Sequence, residues 1–161
     1  MTKPLSIGLA LWITLSIGAV AWSGEPVPQK PDARAKCPVC GMFVARYPDW
    51  VAQVIFTDGS RDYFDGAKDM FKYLFELERY RPDQSEKTVA AVMVTEYYQM
   101  QTIDARQAYF VVGSDVYGPM GPELIPFNTR DDAQAFLDDH KGRRVLTYGQ
   151  ITPYVIRQLD P

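Results

Sequence analysis

Val51-Ala52-Gln53-Val54-Ile55-Phe56-Thr57, followed by Asp58-Gly59 and then Arg61-Asp62-Tyr63-Phe64, reads as two β-strands joined by a tight hairpin turn. Val, Ile, Phe and Tyr fit a pleated, half-buried surface, and Gly in the turn tolerates a positive φ that other residues resist. Asp65 stands where a helix cap is expected. Ala67, Met70, Phe71, Leu74 and Phe75 then recur at the three-and-four spacing of one buried helical face, before Pro82. A strand over Val89 to Thr95 completes the order ββαβ.

The same order is legible further on. Ala108 to Gly113 predicts a strand, Gly118 to Pro122 a Gly/Pro-rich turn, and Glu123 to Phe127 its partner strand. Thr129 followed by Asp132 is a helix-start signature. Ala133, Phe136, Leu137 and His140 form the apolar stripe of a helix that Gly142 ends, and Val145 to Tyr148 gives the last strand. A terminal helix over Gln150 to Leu159 is interrupted early by Pro153. The expected class is α+β, with two tandem ββαβ units, residues 37–100 and 101–161, packed as one compact domain.

Upstream, the composition changes. Lys3 is the only charge in the first twenty-odd residues, and Leu5 to Ala21 is nearly continuous apolar sequence ending in the small residues Ala19-Val20-Ala21. Residues 1–21 read as a secretory signal, or as an uncleaved anchor close to the length that spans a bilayer. Either way the body is expected outside the cytoplasm. A tether follows over residues 22–36, with Pro26, Pro28 and Pro31 and several charges, and folding is expected to begin near Cys37.

The whole chain of 161 residues carries 17 Lys+Arg against 20 Asp+Glu, with one His and two Cys. This balance supplies no large basic surface for a phosphate backbone, so nucleic acid is excluded as the expected partner. No Gly-x-Ser-x-Gly elbow, Walker loop or dinucleotide-binding glycine pattern is present, and Asp58, Asp62, Asp65 and Asp69 read as turn, cap and surface residues. No enzymatic activity is expected.

Chemistry concentrates in two short places. Cys37-Pro38-Val39-Cys40-Gly41-Met42 sets two thiols and a thioether close together, and Gly118-Pro119-Met120-Gly121-Pro122 mounts a methionine in a turn rather than on an apolar stripe. Met70 and Met93, by contrast, sit on stripes and read as packing. Soft sulfur donors suit Cu(I), and the thioether discriminates against hard cations. Other readings stand beside this one. Cys37 and Cys40 can form a disulfide outside the cytoplasm, or serve a periplasmic thiol–disulfide oxidoreductase, although the tether before them and Pro48 after them differ from the strand-to-helix setting of such centres. A structural zinc lacks ligands, with one His and no third Cys. His140 reads as a capping or packing residue, and Met120 has the alternative of covering an apolar patch.

Cys40-Gly41-Met42, the Val51–Phe75 unit, and the run from Tyr109 through Val112-Gly113-Ser114, Gly118-Pro119-Met120-Gly121 and Pro126-Phe127 resemble the NosL family of nitrous oxide reductase accessory proteins. The resemblance spans about Cys37 to Ile151. It implies a periplasmic Cu(I) carrier for nitrous oxide reductase maturation, built from two ββαβ halves, with handover partners in membrane-associated machinery and in copper-accepting maturation proteins. Carried over by position, the metal ligands fall on Cys40, Met42 and Met120. Cys37 is extra relative to members with a single Cys in this motif, and is either a further ligand or a disulfide partner. Many members carry a lipid-modified Cys at the end of the signal, but no Cys lies near Ala21 here.

Overall fold

Asp58 and Gly59, the latter at φ +84°, reverse the chain between β1 (Ala52–Phe56) and β2 (Arg61–Phe64), which pair antiparallel with Ala52 opposite Phe64 and Ile55 opposite Arg61. The structure is a computed structural model and describes residues 26–160. The expected signal or anchor at 1–21, and the start of the tether, lie outside the described residues. Among the described residues no helix is long and apolar enough to cross a membrane.

After β2 come α1 (Ala67–Phe75), the short α2 (Leu77–Tyr80) and β3 (Val89–Thr95). The first sheet has the order β2-β1-β3-β4, where β4 is Thr102–Asp104. The second sheet has the order β8-β5-β9, from β5 (Tyr109–Val112), β8 (Ile125–Phe127) and β9 (Arg144–Thr147), with α3 (Arg130–Asp139) between the last two. Thr129 caps α3 by accepting the Asp132 N–H, as its sequence position predicts. The mixed α+β class is as expected. Two additions were not legible: β4, and a two-stranded ribbon of β6 (Tyr117–Gly118) and β7 (Gly121–Pro122) inserted between β5 and β8. Each is too short to carry a period of its own.

Strand β5 is buried on both faces. Phe110 and Val112 point into the main core with Val54, Phe56, Phe71, Leu146 and Ile156, while Val111 joins Ile125, Phe127, Ala133 and Phe136 beneath α3. This is the period-two consequence of a strand covered on each side. Phe71 of α1 fastens the two sheets together, with its ring 5.6 Å from that of Phe110 and 5.1 Å from that of Tyr148. Phe71→Ala is therefore expected to destabilise the protein by about 3–5 kcal/mol through lost burial and an incompletely collapsed cavity. Chemical denaturation measures it.

Three sequence expectations change. The buried face of α1 is turned toward Asp69 and Tyr73, so that Tyr73 is inaccessible while Phe75 is 41% exposed. Pro153 does not interrupt a helix: it occupies the first turn of α4 (Pro153–Arg157), which Thr152 caps, a position where proline's missing N–H costs nothing. Finally, the tether is docked before Cys37. Gln53, buried on β1, exchanges hydrogen bonds with the Gln29 backbone at 3.1 and 3.0 Å, and Arg61 donates to the Val27 carbonyl at 3.0 Å. A buried amide needs partners for both its donor and its acceptor, and the extended backbone of the tether supplies them.

Candidate metal centre

A tight loop holds the two cysteines. Lys36 and Phe43 form an isolated antiparallel bridge, the Cys37 N–H donates to the Met42 carbonyl at 2.9 Å, and the Gly41 N–H donates to the Cys37 carbonyl at 2.8 Å. Gly41 closes the loop at φ +79°, in the left-handed region that glycine enters without penalty. Cys37 is buried and Cys40 half-buried, and both thiols are free.

The thiols face the start of α1. Cys40 Sγ donates to Asp65 Oδ1 at 3.1 Å and Cys37 Sγ to Asp69 Oδ2 at 3.5 Å. One donor atom from each of Cys37, Cys40, Asp65 and Asp69 lies within 4.8 Å of the other three. Asp65 precedes α1 across the extended Gly66 and Asp69 lies in its first turn, and the two converge on the thiol pair. Both are buried, at 1% and 4% exposure, which corrects their reading as cap and surface residues. Asp65 is not the cap of α1: the N-cap position falls on Gly66, which has no side chain to offer. The N–H of Lys68 is taken instead by Glu123 Oε1 at 2.6 Å, from 55 residues away. Relieved of capping, Asp65 turns to Cys40.

Electrostatically the cluster is short of positive charge. Lys72 lies 3.6 Å from Asp69 but is shared with Asp160 at 2.7 Å, and Asp65 has no ion-pair partner among the described residues. Asp65 Oδ2 is buried with no hydrogen-bond partner. A buried carboxylate oxygen left unpaired is costly, and a bound cation is one way to satisfy it. Burial, reinforced by the charge of Asp69, pushes the Cys37 thiol up to about 12. Burial and the hydrogen bond to Asp65 also push Cys40 well above the ordinary thiol range. Both cysteines are protonated in this form, and an incoming soft cation has to displace those protons.

The remaining sulfurs are placed differently. Met42 is half-buried at the foot of the loop. Met120 is at the two-residue tip between β6 and β7, 43% exposed, and its carbonyl accepts Lys68 Nζ at 2.9 Å. Lys68 belongs to the first turn of α1, as Asp69 does, so its ammonium ties the tip to that turn. His140 ends α3, stacked on Phe136 at 4.3 Å and 3.2 Å from Asp115 Oδ1. Its contacts are those of a capping and packing residue. Asp65 and Asp69 are site residues that the sequence does not mark, because each meets its cysteine across 25 and 32 residues of chain.

Fold and cluster together define an α+β protein with a thiol–carboxylate centre of metal-binding composition. The sequence profile of the NosL family matches residues 28–156, most of the chain, and the protein belongs to that family. It is 28% identical over 127 residues to the copper-binding lipoprotein NosL of Stutzerimonas stutzeri, covering 76% of this chain and 65% of that protein's length. It is 31% identical over 137 residues to the copper-binding lipoprotein NosL of Achromobacter cycloclastes, covering 81% and 70%. The crystal structure of the copper chaperone NosL from Shewanella denitrificans is similar at a TM-score of 0.66 and 26% identity, over 79% of this chain and 99% of that one.

Proposed function

We propose that the protein is an exported, periplasmic carrier of Cu(I) that delivers copper for maturation of nitrous oxide reductase and has no enzymatic activity of its own. The observation that carries this reading is the pair of free thiols opposed by two buried carboxylates, one of them with an unpartnered oxygen. Cys37 and Cys40 would hold the ion as thiolates, their protons released to solvent, with Asp65 and Asp69 lining the other side of the centre. The thioethers of Met42 and Met120 complete a soft donor set that releases no proton.

A carrier needs binding tight enough to exclude free ion and an open side for an acceptor. Cys37 is inaccessible, whereas Cys40 and Met120 retain exposure. An acceptor's sulfur can therefore reach the ion on the Met120 side before the Cys37 bond breaks. The acceptors belong to membrane-associated maturation machinery and to the reductase itself. Support for copper as the cargo comes from membership in the NosL family and from the printed names of the relatives. Those relatives are called lipoproteins, whereas the two cysteines of this chain lie at 37 and 40, both within the thiol–carboxylate cluster.

Met120→Leu tests the thioether with little change in volume. It is expected to weaken Cu(I) binding by about tenfold, equivalent to about 1.4 kcal/mol, with no loss of fold. Competition with a Cu(I) chelator reads it, and unchanged affinity would remove Met120 from the site. A second reading has its own observation: two thiols and two carboxylates also suit a tetrahedral Zn²⁺. Zn²⁺ binding that Cu(I) fails to displace would favour it. The thiol–disulfide oxidoreductase alternative requires a thiolate at neutral pH, and both thiols are pushed the other way. Turnover in an insulin-reduction assay would restore it.

A further inference from the structure

Lys68 and Glu123 are 2% and 4% exposed, rare burial for an ammonium and a carboxyl. The ammonium has three donors, and the structure surrounds it with three oxygens: the Met120 carbonyl at 2.9 Å, the Leu159 carbonyl at 3.5 Å and Asp160 Oδ1 at 3.5 Å. Glu123 is placed as closely. Its Oε1 accepts the N–H groups of Lys68 at 2.6 Å and Leu124 at 2.8 Å. Its side chain lies between two glycines, one at the head of α1 and one in the Met120 ribbon. A Cβ on Gly66 would collide with Glu123 Oε2, and one on Gly118 would stand 3.0 Å from Glu123 Cγ. Gly66 has an extended backbone that any residue adopts, so what its missing side chain provides is room for Glu123.

We propose that Lys68 and Glu123 are positioning residues for the Met120 thioether, clamping the β6–β7 tip to the first turn of α1 beside the thiol–carboxylate cluster. Lys68 holds the tip by its carbonyl. Glu123 joins the base of the ribbon to the helix through the backbone of the same Lys68. Left unclamped, a two-residue tip with an exposed side chain would sample many positions, and fixing it on binding would cost conformational entropy. This inference rests on the copper reading for its purpose, and on geometry alone for the clamp.

A double-mutant cycle tests it. Lys68→Leu keeps an apolar side chain, removes the ammonium and adds no sulfur, and is expected to weaken Cu(I) binding several-fold, up to about the tenfold of Met120→Leu, because a residue that orients a ligand can cost no more than the ligand it orients. In Lys68→Leu/Met120→Leu the loss should be close to that of Met120→Leu alone, because Lys68 acts through Met120. X-ray absorption of the Lys68→Leu protein should show a sulfur lost from the copper shell with the thiolates retained. Additive losses, or wild-type affinity in Lys68→Leu, would overturn the proposal. Should Lys68→Leu fail to fold, backbone ¹⁵N relaxation of the metal-free wild type still decides: Gly121 is expected to be as rigid as α1, with an order parameter of about 0.85, and a value below about 0.6 would contradict the clamp. Absence of any Cu(I) binding by the wild type would defeat the copper reading, while the relaxation measurement would still stand or fall separately.

Discussion

Cys40→Ser is expected to abolish stoichiometric Cu(I) binding while leaving the fold intact. A serine oxygen is hard and stays protonated, so it cannot replace a thiolate toward a soft monovalent ion. Cys40 is also the more accessible of the two thiols, the one an acceptor can approach. The fold should survive because the loop is closed by backbone bonds from Cys37 to Met42 and from Gly41 to Cys37, none of which uses the Cys40 sulfur. Anaerobic chelator competition on the variant, with circular dichroism as the folding control, gives the answer. Retention of one tightly bound copper would remove Cys40 from the centre.

The second large effect is of pH. Burial holds Cys37 up near 12 and pushes Cys40 upward as well. Across the neutral range each thiol must therefore give up a proton for the ion to bind, and apparent affinity rises with pH. The slope is up to about tenfold per pH unit for each proton released, so about a hundredfold per unit if both thiols bind as thiolates. A weakly buffered titration should release close to two protons per copper over the same interval. The sign for the metal-free protein is opposite. A thiol whose folded value is raised above its unfolded value near 9.0 contributes stability fully present below pH 9 and lost as pH climbs toward 12. Metal-free protein should thus become less stable in alkali while copper binding becomes tighter. Affinity independent of pH between 6 and 8 would mean that the thiols are not the ligands.

Much of the scaffold is written locally. Asp58-Gly59 between two β-rich runs dictates the first hairpin, and Thr129 with Asp132 dictates the start of α3. In both cases the deciding contacts lie within a few residues of one another. The centre is different because its halves come from distant segments. Asp65 looks like a cap when its neighbours alone are considered, and becomes a buried partner of Cys40 only because Glu123 supplies the capping oxygen from across the molecule. Asp69 is buried against Cys37, 32 residues earlier in the chain. No local pattern encodes such a pairing. The same holds for the tether, whose hydrogen bonds depend on a glutamine in β1. The sulfur motifs were legible because donor chemistry is a property of residue type; their carboxylate surroundings were not.

An anaerobic titration with Cu(I), followed by X-ray absorption at the copper edge, bears on the proposed centre without intermediaries. Saturation at one copper per chain, in a shell of three or four sulfurs that includes both thiolates, is the predicted outcome. A shell of nitrogen and oxygen donors alone, or no saturable binding, would contradict it.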